Sequence, residues 1–396
     1  MKGALEDIRV IDLSRHLSGP YAGAILADFG AEVIRVERPG GDEDRHFGYE
    51  APSGDTWSFA NRSRNKKAVT INLRHPQGRA ILEELIKRSD VVLENFAARD
   101  KKRLGLDYDS LKKINPKIIL ASVSAFGLTG PNVNRVGFDP IAQAESGAMS
   151  LNGFPGNPPL RAGVPWVDYS TAIYAAFGIV MAVRHRDRTG KGQVLDICLA
   201  DVAAALVAVH GIFTEFEKEG IERPQMGNMS PYAYANTFQA EDGWVFISLT
   251  RDGIWKRFLK AAEMESLEQD PRFSSDEQRA RNRDELDKII TPWVKKKTVE
   301  EIIAILEKDF VPCARVNTIK QAFNESQLWD REVLLNMEHD RNGKMATLGV
   351  VVKCSETPGA VKRGMPLVGQ HNWEIFHELL GYKDDDLKEF EREGII

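Results

Sequence analysis

The chain is poor in cysteine, in excess positive charge and in long apolar runs, and each shortage closes off a class of protein. Its 396 residues hold three cysteines, Cys198, Cys313 and Cys354. An odd, sparse and widely spaced set makes no disulfide framework and has no metal-ligand spacing, which points to a reducing, cytoplasmic setting. Lysine and arginine (53) are outnumbered by aspartate and glutamate (58), for a net charge of -5. A general nucleic-acid binder needs a basic face to displace counterions from phosphates, so that class is disfavoured. A local basic pocket for a small phosphorylated ligand stays open. The opening MKGALEDIRVIDL carries acids and no long apolar stretch, so no secretory signal is expected. The most apolar helical run, residues 172–183, falls short of the ~20 residues that cross a bilayer and reads as a buried core helix.

Several chemical signatures are missing as well. Gly19, Gly23 and Gly30 do not fit the dinucleotide spacing G-x-G-x-x-G. The segment TGKGQ (189–193) lacks the Ser or Thr that a phosphate-binding P-loop uses for magnesium. It reads instead as a helix end capped by Gly190, with Arg184, His185 and Arg186 near the negative pole. There is no G-x-S-x-G nucleophile elbow. The eight histidines show no metal spacing, and His371 and His377 are no plausible zinc pair, so no metal is expected.

What is present is an alternation of strands and helices. Ile8–Leu13 is an apolar, β-branched run, Gly19-Pro20 punctuates it, and residues 21–29 follow with helical spacing. EVIRVE (32–37) returns as a strand, and the pattern repeats with a helix at 77–88, a strand at 91–94, a helix near 109–114 and a strand at 118–123. Such alternation predicts an α/β fold with a parallel sheet covered on both faces. A long helix follows Asp168, then a strand at 193–199 and an apolar helix at 201–213. Composition turns polar around 216–232, with Gly220, Pro224, Gly227 and Pro231, which marks a domain boundary. Beyond it come a strand at 245–249, a charged, mostly helical stretch at 253–308, a strand at 312–316 and an amphipathic tail at 369–392.

Two kinds of residue carry possible chemistry. Arg35, Arg38, Arg74, Arg103 and Arg135 sit at or beyond predicted strand ends, where open parallel sheets bind ligands and where guanidinium groups clamp phosphates. Asp168 precedes a strong helix. The common use of such an aspartate is to cap the helix by accepting amide hydrogen bonds. The alternative is attack on a carbonyl, for which proximity and desolvation must turn a weak nucleophile into an effective one. Trp166 and Tyr169 flank it and suit either core packing or an acyl pocket; Arg161 suits the surface or a substrate carboxylate.

The runs DLSRHLSGPYAGAILADFGAEVIRVERPGGD (12–42), ENF (94–96), SAFGLTGP (124–131), GFDPIAQAESG (137–147), the Asp168 segment and TGKGQVLDICLAD (189–201) resemble the class III CoA-transferases of the formyl-CoA and carnitine type. So do GNMSPYAYANTFQAEDGW (227–244), VPCARVNTIKQAF (311–323) and PLVGQHNWEIFHELLGY (366–382). These matches follow the family's order over nearly the whole chain.

The resemblance implies that Asp168 is acylated by an acyl-CoA donor and then carries CoA to a free carboxylic acid. It places CoA contacts on His16, Leu17, Ser18, Arg38, Leu73, Arg74, Asn95, Phe96, Arg103, Leu104 and Asp139, the last where the formyl-CoA enzyme has a glutamate. The family's glycine-rich covering loop is reduced here to Gly227-Asn228. No permanently bound cofactor is implied, because coenzyme A and acyl-CoA are substrates; no nucleic acid or membrane partner is implied either. The implied architecture is an interlocked ring homodimer. Residues 1–215 and 311–396 would form a large Rossmann-like domain, and 222–310 a small α+β domain. Racemases of 2-methylacyl-CoA share the fold but use a histidine where this chain has Phe138, which cannot carry a proton. A CoA-binding protein without catalysis is a third reading, disfavoured because Asp168 stands at the nucleophile's place.

Overall fold

The computed structural model describes residues 3–230 and 232–396. The chain divides into two compact units, one built from residues up to Ala148 with Arg161–Ile221 and Gln327–Ile396, the other from Met149–Leu160 with Glu222–Ser326. The second unit thus takes in a short excursion before Asp168 and runs on to Ser326, past the 310 at which the sequence reading ends it.

The first unit is an α/β layer structure. Six parallel strands, β1 (Arg9–Asp12), β2 (Glu32–Glu37), β3 (Lys67–Thr70), β4 (Val91–Glu94), β5 (Ile119–Ser124) and β6 (Val194–Cys198), pair in the order β3-β2-β1-β4-β5-β6. Around them lie α1 (Ser18–Asp28), α2 (Trp57–Ser63), α3 (Pro76–Lys87), α4 (Ala98–Leu104), α5 (Tyr108–Ile114), α6 (Asp139–Glu145), α8 (Trp166–Thr189), α9 (Leu199–Ala208) and α10 (Ile212–Glu219), while α7 (Ala148–Leu151) leads the chain into the second unit. The central strands β4 and β5 are mostly apolar and buried along their length because both faces are covered. Alternate residues split between the two cores: Val10, Val33 and Leu93 pack with Ala22, Ala175 and Ile179, while Ile11, Ile34 and Val92 pack with Leu82, Leu85 and Phe376.

This strand order reverses direction between β1 and β4, and open sheets of this kind bind ligands outside the carboxyl ends of the strands at that reversal. The loops that leave β1 and β4, residues 13–17 and 95–97, therefore border the crevice.

Two helices differ from expectation. The stretch read as one helix over 201–213 is broken, because Gly211 adopts φ +77° between α9 and α10. Helix α8 runs for 24 residues, twice the apolar core read for it, and among the described residues it is the single helix long and apolar enough to cross a membrane. One face, with Ala172, Ala175, Ala176 and Ile179, packs in the sheet's core, while Ile173, Tyr174, Phe177, Val180 and Met181 are exposed on the other. Gly190 ends α8 in the left-handed conformation, as its cap reading requires.

The second unit holds a three-stranded antiparallel sheet, β7 (Ala235–Gln239), β8 (Trp244–Ser248) and β9 (Cys313–Arg315). Helices α11 (Asp252–Ala261), α12 (Asp276–Arg281), α13 (Arg283–Val294) and α14 (Val299–Lys308) complete it. Phe238, Val245, Ile247, Phe258, Leu286 and Ile302 form its core. In the first unit the chain adds a hairpin, β10 (Leu334–His339) with β11 (Gly343–Leu348), that the mixed polarity of those residues conceals.

Candidate active site at the strand-order reversal

Residues 13–17 leave β1 and are held by a set of buried charges. Asp12, at the end of β1, accepts hydrogen bonds from the Ser14 amide (3.0 Å) and the Ser14 hydroxyl, and pairs with Lys66 (2.8 Å). Burial opposes the Asp12 charge, but Lys66 and Arg35 outweigh it and hold its pKa below the ordinary carboxylate value. The Ser14 side chain fills the space where a Cβ on residue 19 would sit, 2.3 Å from its own Cβ, which is why residue 19 is glycine. His16 takes φ +66°, rare for a side-chain-bearing residue, and its amide donates to Asp44 (3.2 Å). From β4, Asn95 grips the same loop twice, accepting from the Arg15 amide (3.0 Å) and donating to the Arg15 carbonyl (2.8 Å).

Beneath this loop lies a cluster of carboxylates and guanidinium groups. Arg35 pairs with Glu37 (3.3 Å) and Asp44 (2.7 Å), and donates to the Ser14 carbonyl (3.3 Å). Arg45 pairs with Glu37 (2.6 Å) and Asp55 (3.1 Å). Arg35, Arg45 and Arg62 lie 4.4–5.5 Å from the centre of the buried Phe59 ring. Glu37, Asp42 and Asp44 lie close enough together to hold a cation, but these guanidinium groups already supply the positive charge. Arg35 is therefore no phosphate clamp: it is fully buried and committed to carboxylates.

The amino end of α8 meets this loop. Its first turn is capped from outside: buried Asp139, at the start of α6, accepts from the amides of Val167 (2.8 Å) and Asp168 (3.1 Å). The other oxygen of Asp139 accepts from Gln143 (2.5 Å). Asp168 is the third residue of the helix, and its side chain makes no cap. The cap reading of Asp168 is thereby corrected, since Asp139 already satisfies the amides it would take. Asp139 itself, with both oxygens occupied, faces into the protein rather than toward a CoA ligand.

Freed from capping, Asp168 turns to α1 and accepts a hydrogen bond from the Ser18 hydroxyl on Oδ1. No Lys, Arg or His among the described residues forms an ion pair with it. Burial raises its pKa to about 6, with the Ser18 hydrogen bond pulling the other way and the Asp139 charge adding to the rise. Tyr169 packs edge-on against Tyr21 of α1 (5.5 Å between ring centres), which locks the two helices beside the carboxylate.

The other residues expected at the site fall in two groups. His16, Leu17, Ser18, Asn95 and Phe96 lie on the crevice loops; Arg15 sits over the Phe96 ring (5.6 Å), and the exposed Phe138 packs edge-on against His16 (5.6 Å). Arg38, Leu73, Arg74, Arg103 and Leu104 follow the carboxyl ends of β2, β3 and β4 on the same edge of the sheet. Of these, Arg38 is half exposed on Glu43 (3.3 Å), Arg103 is exposed on Asp100 (3.1 Å) and Arg74 is exposed, while Leu73 and Leu104 rest on the core. Arg135 pairs with Glu145 and lies over Phe126 (4.6 Å).

Asp12, Lys66, Asp42 and Asp44 were not singled out by sequence reasoning. A signal existed: charged residues inside strands buried on both faces must be paired, and Asp12, Arg35 and Glu37 lie in such strands.

A family model, CoA-transferase family III, matches residues 5–372. Succinyl-CoA–D-citramalate CoA-transferase of Chloroflexus aurantiacus is 36% identical over 395 residues, covering 99% of this chain and 98% of that protein. Succinate–glutarate CoA-transferase of Agrobacterium fabrum is 33% identical over 389 residues, covering 96% of each. A crystal structure of a CaiB/BaiF family protein from Brucella suis superposes with a TM-score of 0.86 at 31% identity, covering 96% of this chain and 100% of that one.

Proposed function

The chain belongs to CoA-transferase family III, and from that premise we propose that it moves CoA from succinyl-CoA to a small dicarboxylic acid by way of an acylated Asp168. The observation that carries the mechanism is the release of Asp168 from helix capping, with its carboxylate beside Ser18 at the strand-order reversal. The substrate class is argued from the relatives, whose names pair succinate or succinyl-CoA with D-citramalate or glutarate, both dicarboxylic acids.

In the proposed sequence, Asp168 attacks the carbonyl carbon of the donor thioester. The C–S bond breaks, CoA leaves as thiolate, and a mixed anhydride remains on the enzyme. The thiolate then attacks the aspartyl carbon, the donor acid leaves as a free carboxylate, and Asp168 becomes a CoA thioester. The acceptor carboxylate attacks that thioester to form a second anhydride. The thiolate finally attacks the acceptor's carbonyl, which releases the new acyl-CoA and restores Asp168. Each step exchanges one acyl bond for another, so thioester energy is kept and water must be excluded.

His16, Leu17, Ser18, Asn95 and Phe96 would face the thioester and pantetheine arm. Arg38, Leu73, Arg74, Arg103 and Leu104 would contact the nucleotide and phosphates. The enzyme would work in the cytoplasm as an interlocked homodimer, each chain folded into the two units described above. The exposed apolar face of α8 supports the dimer, since such a stripe calls for a cover. Racemisation gains nothing from Phe138, which holds no proton.

The test is to incubate the protein with succinyl-CoA, trap with hydroxylamine and examine the peptide that bears Asp168 by mass spectrometry. A hydroxamate at Asp168 is expected. A protein that transfers CoA without ever modifying this residue would refute the mechanism.

A further inference from the structure

Resting on the acyl-enzyme reading of Asp168, we propose that Ser18 is a positioning residue for that nucleophile: its hydroxyl holds Oδ1 and leaves Oδ2 as the attacking oxygen.

The argument starts from which groups surround the carboxylate. Asp168 sits in the first turn of α8, and Ser18 opens α1, the two helices being packed side by side through Tyr21 and Tyr169. Ser18 is buried, so its hydroxyl has little water to bond, and it donates to Oδ1. Oδ2 accepts no hydrogen bond from any described residue. The two carboxylate oxygens are therefore made inequivalent by one hydroxyl. The attacking lone pair belongs to the oxygen that need not break a hydrogen bond first. When Oδ2 forms its bond to the thioester carbon and CoA leaves as thiolate, the Ser18 proton stays on Ser18. As negative charge drains from the carboxylate, that hydrogen bond weakens without rearrangement.

The charged and titratable groups around Asp168 give Ser18 a second consequence. From α6 comes Asp139, whose carboxylate holds the Asp168 amide and repels a second negative charge. From α8 itself comes Tyr169, and from α1 Tyr21; Arg62 of α2 acts on Tyr169 rather than on Asp168. Among the described residues no cation answers the Asp168 charge and the Ser18 hydroxyl is the one side-chain donor that favours its ionised form. Ser18 itself is placed by the buried charges below residues 13–17 and by the close fit of Gly19 on Ser14.

The experiment compares wild type, Ser18→Ala and Ser18→Thr in single-turnover acylation by succinyl-CoA from pH 5 to 8, read as the adduct on the Asp168 peptide. Loss of the hydroxyl in Ser18→Ala is expected to move the acidic limb upward by roughly half to one pH unit. That makes the variant roughly three- to tenfold slower at a fixed pH below the limb. Ser18→Thr, which keeps the donor, is expected to retain the wild-type limb. Should the alanine variant fail to fold, Ser18→Gly removes the same hydroxyl and carries the comparison. A wild-type adduct at Asp168 with an unmoved limb in the variant lacking the hydroxyl overturns the role of Ser18 and leaves the acyl-enzyme intact. Absence of any adduct at Asp168 in the wild type overturns both.

Discussion

Asp12, fully buried, and Asp168, half-buried, both accept a hydrogen bond from a serine hydroxyl, and both lie at the edge of one crevice. Beyond burial, they differ in one respect. Asp12 has Lys66 at 2.8 Å and a pKa held below the ordinary value; Asp168 has no cation among the described residues and a pKa raised to about 6. The first carboxylate is tied up as scaffold. The second is half-buried, forms no ion pair among the described residues and, on the proposed mechanism, keeps its lone pairs for a substrate. On the proposed mechanism, a half-buried carboxylate without a cation is a better mark of the reactive group than burial or hydrogen bonding alone.

The most direct way to break this comparison is Asp168→Ala. Transfer is expected to fall on the order of 10⁴-fold, while CoA affinity measured by calorimetry stays within about twofold because the variant removes a nucleophile rather than a binding group. Lys66→Met probes the scaffold side. It strands Asp12 as an unpaired buried charge and is expected to cost about 3–5 kcal/mol, read as a lower urea midpoint. If the midpoint does not move, Lys66 does not secure Asp12 as argued. Asp139→Ala removes the external cap of α8 and should cost about 1–2 kcal/mol, with a fall in transfer rate larger than stability alone would produce, since the Asp168 backbone loses its anchor.

Two smaller effects sharpen the contrast. The transfer rate should climb with pH through about 6 as Asp168 ionises, and a profile flat from pH 5 to 8 would contradict the raised value. For stability the sign is opposite. A carboxyl whose folded pKa lies above its ordinary 3.8 binds its proton more tightly when folded, so its favourable contribution is complete below that value and is lost as pH rises to about 6. At neutral pH the Asp168 charge destabilises the fold. Asp168→Asn should therefore raise stability by about 1–2 kcal/mol at pH 7 while eliminating transfer, and show no gain at pH 4. Chemical denaturation at the two pH values checks this.

Much of the first unit was legible in the residues. β4 falls on 91–94 as read, and α3, α5 and β5 lie within two residues of their expected ranges, because apolar runs buried on both faces leave a strong pattern. β3 and α2 were not read: KKAVT (66–70) begins with lysines, and Lys66 and Lys67 find their carboxylates only in the fold. By resemblance the candidate site took in Asp168 and residues 16–18, of which the structure joins Ser18 to Asp168 by a hydrogen bond. It was misread where the choice depended on partners distant in sequence. Arg35 looks like a phosphate clamp until Asp44 and Glu37 close on it, and Asp168 looks like a cap until Asp139 takes the amides.

By itself the sequence determined the parallel sheet, the family and the identity of the acidic residue at the head of the long helix. Those follow from periodicity and from ordered motifs, which are local properties of a chain. The tertiary structure alone decided which carboxylates are paired with cations and which, among the described residues, is not. That choice rests on groups 28 to 150 residues apart meeting across the crevice, as Asp44 does with the His16 amide and Ser18 with Asp168. Whether an inward-facing charge is paired or left without a partner depends on the sign of its nearest neighbour, and no linear pattern records that.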